Sequence, residues 1–322
     1  MTIARTVLER LAKLIVVVLI VSFLTFLLTK MLPGSPLVTI LGSEVSNDEA
    51  RTALESRLGL DKPFHEQYLG YLHGVVVEQD LGKSYSQDIP TTTSLAQRLP
   101  ASLQLMVMAQ VISLLISVPL ALFSAYRANS GADKAITAGA FGLISIPGFA
   151  LAVFLVYFFA IQLGWFPAIG YDRITGPDGL GANLKSVALP VAVLSAGLTA
   201  VYTRLLRSDL IATLQEDFVL MARSKGLPTW HILLRHALRP SSFSLLTVFG
   251  INFGTLIGGS VIVETFFVIP GVGELAVRSI LQREYLVVQG VVLVIATAFV
   301  VVNVITDLLY SVLDPRVRRA GA

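Results

Sequence analysis

Few residues in this 322-residue chain are of kinds that do chemistry, and they fall into no catalytic constellation. There is no cysteine, which removes disulfides, thiolate metal sites and thiol nucleophiles. Gly82-Lys83-Ser84 has the ending of a phosphate-binding loop. That loop needs a glycine five residues before its second one, where this chain has Val77. His231 and His236 lie five apart, and an α-helix would turn them about 140° away from each other, which does not suit a shared zinc ion. His65 and His73 have no ligand partners nearby. No catalytic, cofactor-binding or metal-binding residue is therefore assigned. Asn252 and Asn303 lie inside apolar runs. Such amides either hydrogen-bond helix to helix, the favoured reading, or line a watery path. Glu264 and Asp307 sit at opposite ends of apolar runs and read as solvated interface charges, because no second acid lies within a run to relay a proton.

The densest group of functional side chains is 217–240, a charged stretch between two long apolar runs. Leu210, Leu214, Phe218 and Met221 recur at helical spacing, and Gly226 ends that helix. Pro228 opens another, with Ile232, Leu233 and Ala237 on one face and His231, Arg235 and Arg239 largely off it. The expected result is a helix–glycine–helix elbow, with Arg223 and Lys225 against the negative end of the first helix dipole. Its apolar side packs on the rest of the chain, enters a groove on another protein, or lies on lipid headgroups; the residues by themselves leave these open.

The elements that hold this elbow are apolar. The chain is 54% hydrophobic and 14% charged, with a mean hydropathy of +0.76. A soluble domain is about a quarter charged, so a soluble enzyme is excluded. A net charge of +3 is too small to indicate nucleic acid. Six runs approach the roughly 20 apolar residues that cross a bilayer: 14–29, 101–126, one within 135–171, 186–203, 241–263 and 285–306. The third run is longer than one span, and its excess, Gly164-Trp165-Phe166-Pro167, reads as an interfacial aromatic turn. Pro119, Pro147 and Pro190 fall in or at the ends of spans, where neighbouring helices can satisfy the freed backbone groups. The first run, preceded by Arg5, Arg10 and Lys13, also resembles a signal peptide. No small-residue cleavage site follows it, so it is expected to remain as a span.

An even number of spans puts both termini on one side. On the side that carries the N-terminus, 127–134, 204–240 and the C-terminus, Lys and Arg outnumber Asp and Glu two to one. Acids exceed bases on the other. Arg5, Arg10 and Lys13 at one end and Arg316, Arg318 and Arg319 at the other mark the cytoplasmic side, N-in and C-in. On the outer side, Ser46-Asn47-Asp48-Glu49 has capping-box spacing for a helix stopping at Gly59, and Pro63 opens a second helix to about Val77. The expected organisation is all-α. It comprises 1–30, a cytoplasmic segment and first span; 31–100, an extracytoplasmic helical loop; 101–316, a core of spans two to six containing the cytoplasmic loop 208–240; and 317–322, a cytoplasmic tail. A secondary transporter or channel working by itself would carry ionisable residues deep in its spans, and these spans are free of charge.

Asp217-Phe218-Val219-Leu220-Met221-Ala222-Arg223-Ser224-Lys225-Gly226-Leu227, followed by His236-Ala237-Leu238-Arg239, resembles the EAA loop of ABC-importer permeases, in the version of the first (B) kind of dipeptide/oligopeptide permease. The likeness covers the whole chain. Leu32-Pro33-Gly34-Ser35-Pro36, Leu58-Gly59-Leu60-Asp61-Lys62-Pro63, Asp80-Leu81-Gly82-Lys83-Ser84-Tyr85, Arg98-Leu99-Pro100-Ala101-Ser102, Ser145-Ile146-Pro147, Leu163-Gly164-Trp165-Phe166-Pro167, Pro270-Gly271-Val272-Gly273 and Asp314-Pro315-Arg316 resemble family markers in family order. Ser35, Ser224, Pro240, Ser244, Glu284 and Leu286 depart from the pattern. None of these removes the glycine or the Ala-Arg-x-Lys core.

The resemblance implies a type I ABC-importer permease of the bacterial cell membrane, not itself an enzyme, carrying di- or oligopeptides or, through close relatives, nickel chelates, glutathione or sugar-like solutes. It implies pairing with a second, C-type permease, two cytoplasmic ATPase subunits below and an extracytoplasmic binding protein above. ATP and Mg²⁺ would be used by the ATPases, with no cofactor bound by this chain. Coupling to the ATPases would fall to Glu216, Asp217, Phe218, Met221, Ala222, Arg223, Lys225, Gly226 and Leu227. Asn252 and Asn303 remain candidates for lining the path.

Overall fold

The computed structural model describes residues 3–31, 37, 48–57, 61–176 and 179–313. Leu32-Pro33-Gly34-Ser35-Pro36, Ser46-Asn47 of the capping signal, Leu58-Gly59-Leu60, Asp314-Pro315-Arg316 and the 317–322 tail lie outside the described residues. Among the described residues every regular element is helical. In chain order they are α1 Ile3–Met31; α2 Asp48–Arg57; α3 Phe64–His73, which runs into a π-helical turn Gly74–Glu78; α4 Thr91–Tyr126; α5 Gly131–Ser145; α6 Gly148–Leu155, which runs into a π-helical stretch Val156–Gln162; α7 Gly179–Thr213; α8 Asp217–Ser224; α9 Thr229–His231, which continues through a π turn Ile232–Ala237; α10 Leu238–Phe266; α11 Val272–Leu281; and α12 Tyr285–Leu313.

Five of these helices are long and apolar enough to cross a membrane: α1, α4, α7, the continuous Thr229–Phe266 run and α12. The third expected span is broken. α5 and the α6 run meet at 102°, and counted as one span they bring the total to six. Each arm is about 22 Å long, short of the roughly 30 Å of hydrocarbon. The cause is local. A proline ring disfavours the helical region for the residue before it, and Ile146 lies at φ −83, ψ 121. Pro147 then restarts the chain, its carbonyl accepting from the Ala150 and Leu151 N–H groups at 2.9 and 3.1 Å. The aromatic turn after this pair is present: Trp165 N–H donates to the Phe159 carbonyl at 2.9 Å, with the two rings 5.8 Å apart.

The chain forms two compact units. One holds α1 to α3, α4 through Ser102, α11 and α12 through Val301; the other holds α4 from Leu103 through α10, and α12 from Val302. In the first, α3 begins directly after Pro63, as its sequence position predicts, and its Tyr68 and Phe64 rings pack on Phe23 and Phe26 of α1. α11 is an element that hydropathy misses, since it is too short and too amphipathic to register as a span. Its Val272 and Leu275 close a core with Leu95, Val287 and Val291. Its Glu274 pairs with Arg98.

Glu284, where the sequence departs from the pattern it resembles, organises the outer loop. The carboxylate is 3% exposed. It accepts from Tyr85 N–H at 2.6 Å, Ser86 N–H at 2.9 Å and Ser84 Oγ at 3.1 Å. Two backbone N–H groups from an otherwise irregular loop thus find a charged acceptor some two hundred residues away in sequence. Burial, and then the Glu284 charge, push the Tyr85 phenol up, so it stays neutral beside the carboxylate.

Replacing Glu284 with Ala takes the charged acceptor away from two part-buried contacts, which costs about 1–3 kcal/mol. In lipid nanodiscs, E284A is expected to lower the unfolding temperature and to speed tryptic cleavage after the exposed Lys83. The same change at the exposed Gln282 should do neither.

Candidate functional site

α7 leaves its apolar run at Arg204 and ends at Thr213. It does not continue to Gly226, as the spacing of Leu210, Leu214, Phe218 and Met221 suggests. Its last N–H groups tighten instead, Gln215 donating to Ala212 at 3.1 Å and Glu216 to Thr213 at 3.2 Å. Glu216 is then extended, at φ −71, ψ 147. α8 restarts on the Glu216 carbonyl, which accepts from Val219 and Leu220. The restart rotates the pattern. Val219 and Ala222 turn inward, while Phe218, Leu220 and Met221 are 46%, 51% and 60% exposed. The regular spacing of the four residues belongs to two helices, so it marks no common buried face.

Gly226, at φ +76, ends α8. Its N–H donates to the Arg223 carbonyl at 2.9 Å, and Leu227 N–H to the Ala222 carbonyl at 3.3 Å, the paired bonds of a Schellman cap. The accompanying apolar contact is also made, since Leu227 packs on the core of Val219, Ala222 and Ile232. Pro228 sets the next turn, accepting from His231 and Ile232 at 3.0 and 3.2 Å. At the base, the Thr213 and Ser241 hydroxyls hydrogen-bond at 2.9 Å, and Leu210, Leu233 and Ala237 are buried. α8 is therefore a rigid extension of α7 and α10.

Of the sequence-selected residues, Glu216, Asp217, Phe218, Met221, Arg223, Lys225 and Gly226 are exposed. Ala222 is buried and Leu227 half-buried. These two hold the elbow together and present no docking surface. The arrangement offers an apolar ridge between a pair of acids and a pair of bases, which is a docking chemistry with no bond-making group in it.

His231 and His236 require a correction. The α-helical separation of about 140° does not apply, because the intervening turn is π-helical and brings the ring centroids to 5.8 Å. Among the described residues, no group of three or more His, Asp or Glu side chains is placed to hold a metal ion.

The sequence also passed over the ties behind the elbow. Arg207 grips Asp133 with both arms, each at 2.6 Å. Asp133 accepts in addition from Ser124 Oγ and, at 2.8 Å, from Asn129 N–H. Ser130 caps α5 by accepting from Asp133 N–H at 3.3 Å. The Ser-x-x-Asp spacing is a capping signal that marks Asp133 in sequence. Nothing local marks Arg207. Deeper in the bundle, Tyr202 Oη donates to Gln110 Oε1 at 2.8 Å and Gln110 Nε2 to the Phe249 carbonyl at 3.4 Å. Asn252 lies half-buried on α10, and its Nδ2 atom has no hydrogen-bond partner among the described residues. Asn303 is half-buried on α12. Glu264 is fully buried, so the reading of a solvated interface charge does not hold. The side chain of Asp307 lies outside the described residues.

Residues 117–319 match the family described as the inner membrane component of binding-protein-dependent transport systems, and residues 3–106 match the N-terminal region of such membrane components. A Brucella abortus protein named as a peptide transport system permease is 38% identical over 313 residues, 97% of this chain and 98% of that protein. The oligopeptide transport system permease AppB of Bacillus subtilis is 33% identical over 98% of this chain and 99% of its own length. The glutathione transport system permease GsiC of Shigella flexneri is 33% identical over 97% and 98%. Among solved structures, a chain of the inward-facing MetNI methionine ABC transporter aligns with a TM-score of 0.57 at 15% identity, covering 69% of this chain and 96% of that one, which shows the fold.

At Gly226, no atom beyond the immediate chain lies within 4 Å of where a Cβ would stand. The cost of a side chain is then backbone strain only, about 1–2 kcal/mol at a positive φ. Gly226→Ala and Gly226→Trp are expected to lower the unfolding temperature of the isolated chain by the same amount. Any further loss shown by the Trp variant in an assembled transporter measures a clash with whatever docks there.

Proposed function

The chain belongs to the family of binding-protein-dependent transport system inner membrane components, and from that premise we propose that it is the permease half of an ATP-driven importer of di- or oligopeptides, coupled to separate ATPase subunits through α8. It pairs with a second, homologous permease. Two cytoplasmic ATPases bind beneath and an extracytoplasmic binding protein delivers cargo. ATP and Mg²⁺ are held by the ATPases, and this chain binds neither. The observation that carries the reading is the elbow itself: a helix on the cytoplasmic side, fixed to two spans by its own small core, that leaves Phe218, Leu220 and Met221 exposed.

In mechanical terms, Phe218, Leu220 and Met221 enter an apolar groove on the ATPase, flanked by Glu216, Asp217, Arg223 and Lys225. Ala222, Gly226 and Leu227 keep the helix from unwinding under load. Closure of the ATPase pair on ATP carries α8 as a lever. Through Thr213–Ser241 and the packing of α7 on α10, the lever tilts the spans between inward- and outward-open states. A glutathione carrier among the relatives, at the same 33% identity as an oligopeptide carrier, supports a second cargo of the same chemistry, since glutathione is a tripeptide. Binding assays with the cognate binding protein decide between them.

The absence of native cysteine makes the docking test clean. Single cysteines at Phe218 and Met221 are expected to cross-link to the ATPase subunit, while one at the buried Val219 stays unreactive. Full ATP-dependent uptake after deletion of 218–225 would refute the coupling role.

A further inference from the structure

A groove of about 530 Å³ between α5 and α7, at their cytoplasmic ends, has no part in the coupling described above. Thr137 and Phe141, four residues apart on α5, form one wall. Val201, Arg204, Leu205 and Ser208 form the other, one continuous stripe of α7, with Arg207 at the edge. The groove is graded along the membrane normal. Phe141 and Val201, at its deeper end, are exposed apolar side chains. Arg204 and Ser208 lie just past the apolar run 186–203, at the level of the inner headgroups.

The two arginines differ in state. Arg207 is neutralised by Asp133 at 2.6 Å. Arg204 has no carboxylate partner among the described residues, and its guanidinium rests on the Phe141 ring, 4.0 Å from the centroid. That stacking holds the cation over the groove, where a free arginine would extend into water. An oriented, unpaired guanidinium beside a hydroxyl suits a phosphate, and an apolar channel running from it towards the bilayer centre suits an acyl chain.

We propose that this groove binds an anionic phospholipid of the inner leaflet, its phosphate on Arg204 and Ser208 and one acyl chain along Phe141, Val201 and Leu205. Basic pockets between spans on the cytoplasmic side hold such headgroups. The inference uses the orientation of the chain and does not depend on its cargo.

The test is retention of phosphatidylglycerol by the complete transporter, read by native mass spectrometry after extraction from nanodiscs of mixed phosphatidylglycerol and phosphatidylcholine. Phosphatidylglycerol should be retained in preference. Arg204→Gln should weaken that retention about fivefold, the loss expected for one basic contact, and Arg204→Lys should restore part of it. Val201→Trp fills the apolar end without touching the charge and should also reduce retention; it carries the test if Arg204→Gln does not assemble. Equal retention of the two lipids, or retention unchanged in both Arg204→Gln and Val201→Trp, overturns the proposal. So does efficient cross-linking of a cysteine at Val201 to another subunit, which would make the occupant a protein.

Discussion

Hydrocarbon offers no hydrogen bonds, and that single deficit shapes every part of this chain. A buried polar group must find its partner within the protein or remain at a cost of several kcal/mol. The spans are helices for that reason, and where a helix fails the repair is visible: Pro147 stops α5, and its own carbonyl takes up the N–H groups of the next helix. The same rule governs side chains. Gln110 accepts from Tyr202 and donates to the Phe249 carbonyl, which ties three helices together. Gly250 meets α12 so closely that a Cβ would lie 1.9 Å from the Thr306 methyl, the kind of approach that membrane helices use where no hydrophobic effect drives them together.

Where the chain emerges into water, the physics reverses and the elbow becomes possible. An isolated eight-residue helix is unstable in water. α8 persists because Val219 and Ala222 bury against Ile232 and because Gly226 satisfies its last carbonyls. Stability that comes from tertiary contact has a mechanical consequence: the helix cannot move without the elements it is packed on. A flexible tether would absorb a partner's motion. A capped helix with its own core, pinned at Thr213 and Ser241, is built to pass such motion on, as the proposed coupling requires.

What the sequence made legible follows from the range of the interactions. Five of the six spans, the α3 start at Pro63 and the Gly226 stop rest on composition or on signals within a few residues and can be read directly, whereas the break of the third at Pro147 is not visible in hydropathy. The inward turn of Val219 and Ala222 could not be, because it depends on where α7 ends. That in turn depends on the extended conformation at Glu216, a residue with no special preference for it. In the sequence Glu284 is visible only as an exchange. Its role depends on Tyr85 and Ser86, which no local pattern connects to it. The histidine pair shows the opposite error: the spacing was right, but an assumed α-helical period placed the rings apart where a π turn brings them together.

The inner membrane surface shows how one residue type serves two ends. Arg207 and Arg204 lie three residues apart on α7, yet only the first has a carboxylate. A guanidinium gripped in two places by Asp133 fixes α5 against α7, and the capped turn at Ser130 holds that carboxylate in position. Such a pair is costly to desolvate and stiff once made. With α5 and α7 locked at that point, the groove beside them has fixed walls, and Arg204 can be held by an aromatic face while its charge stays available. Rigidity from the paired arginine is therefore a precondition for recognition by the unpaired one.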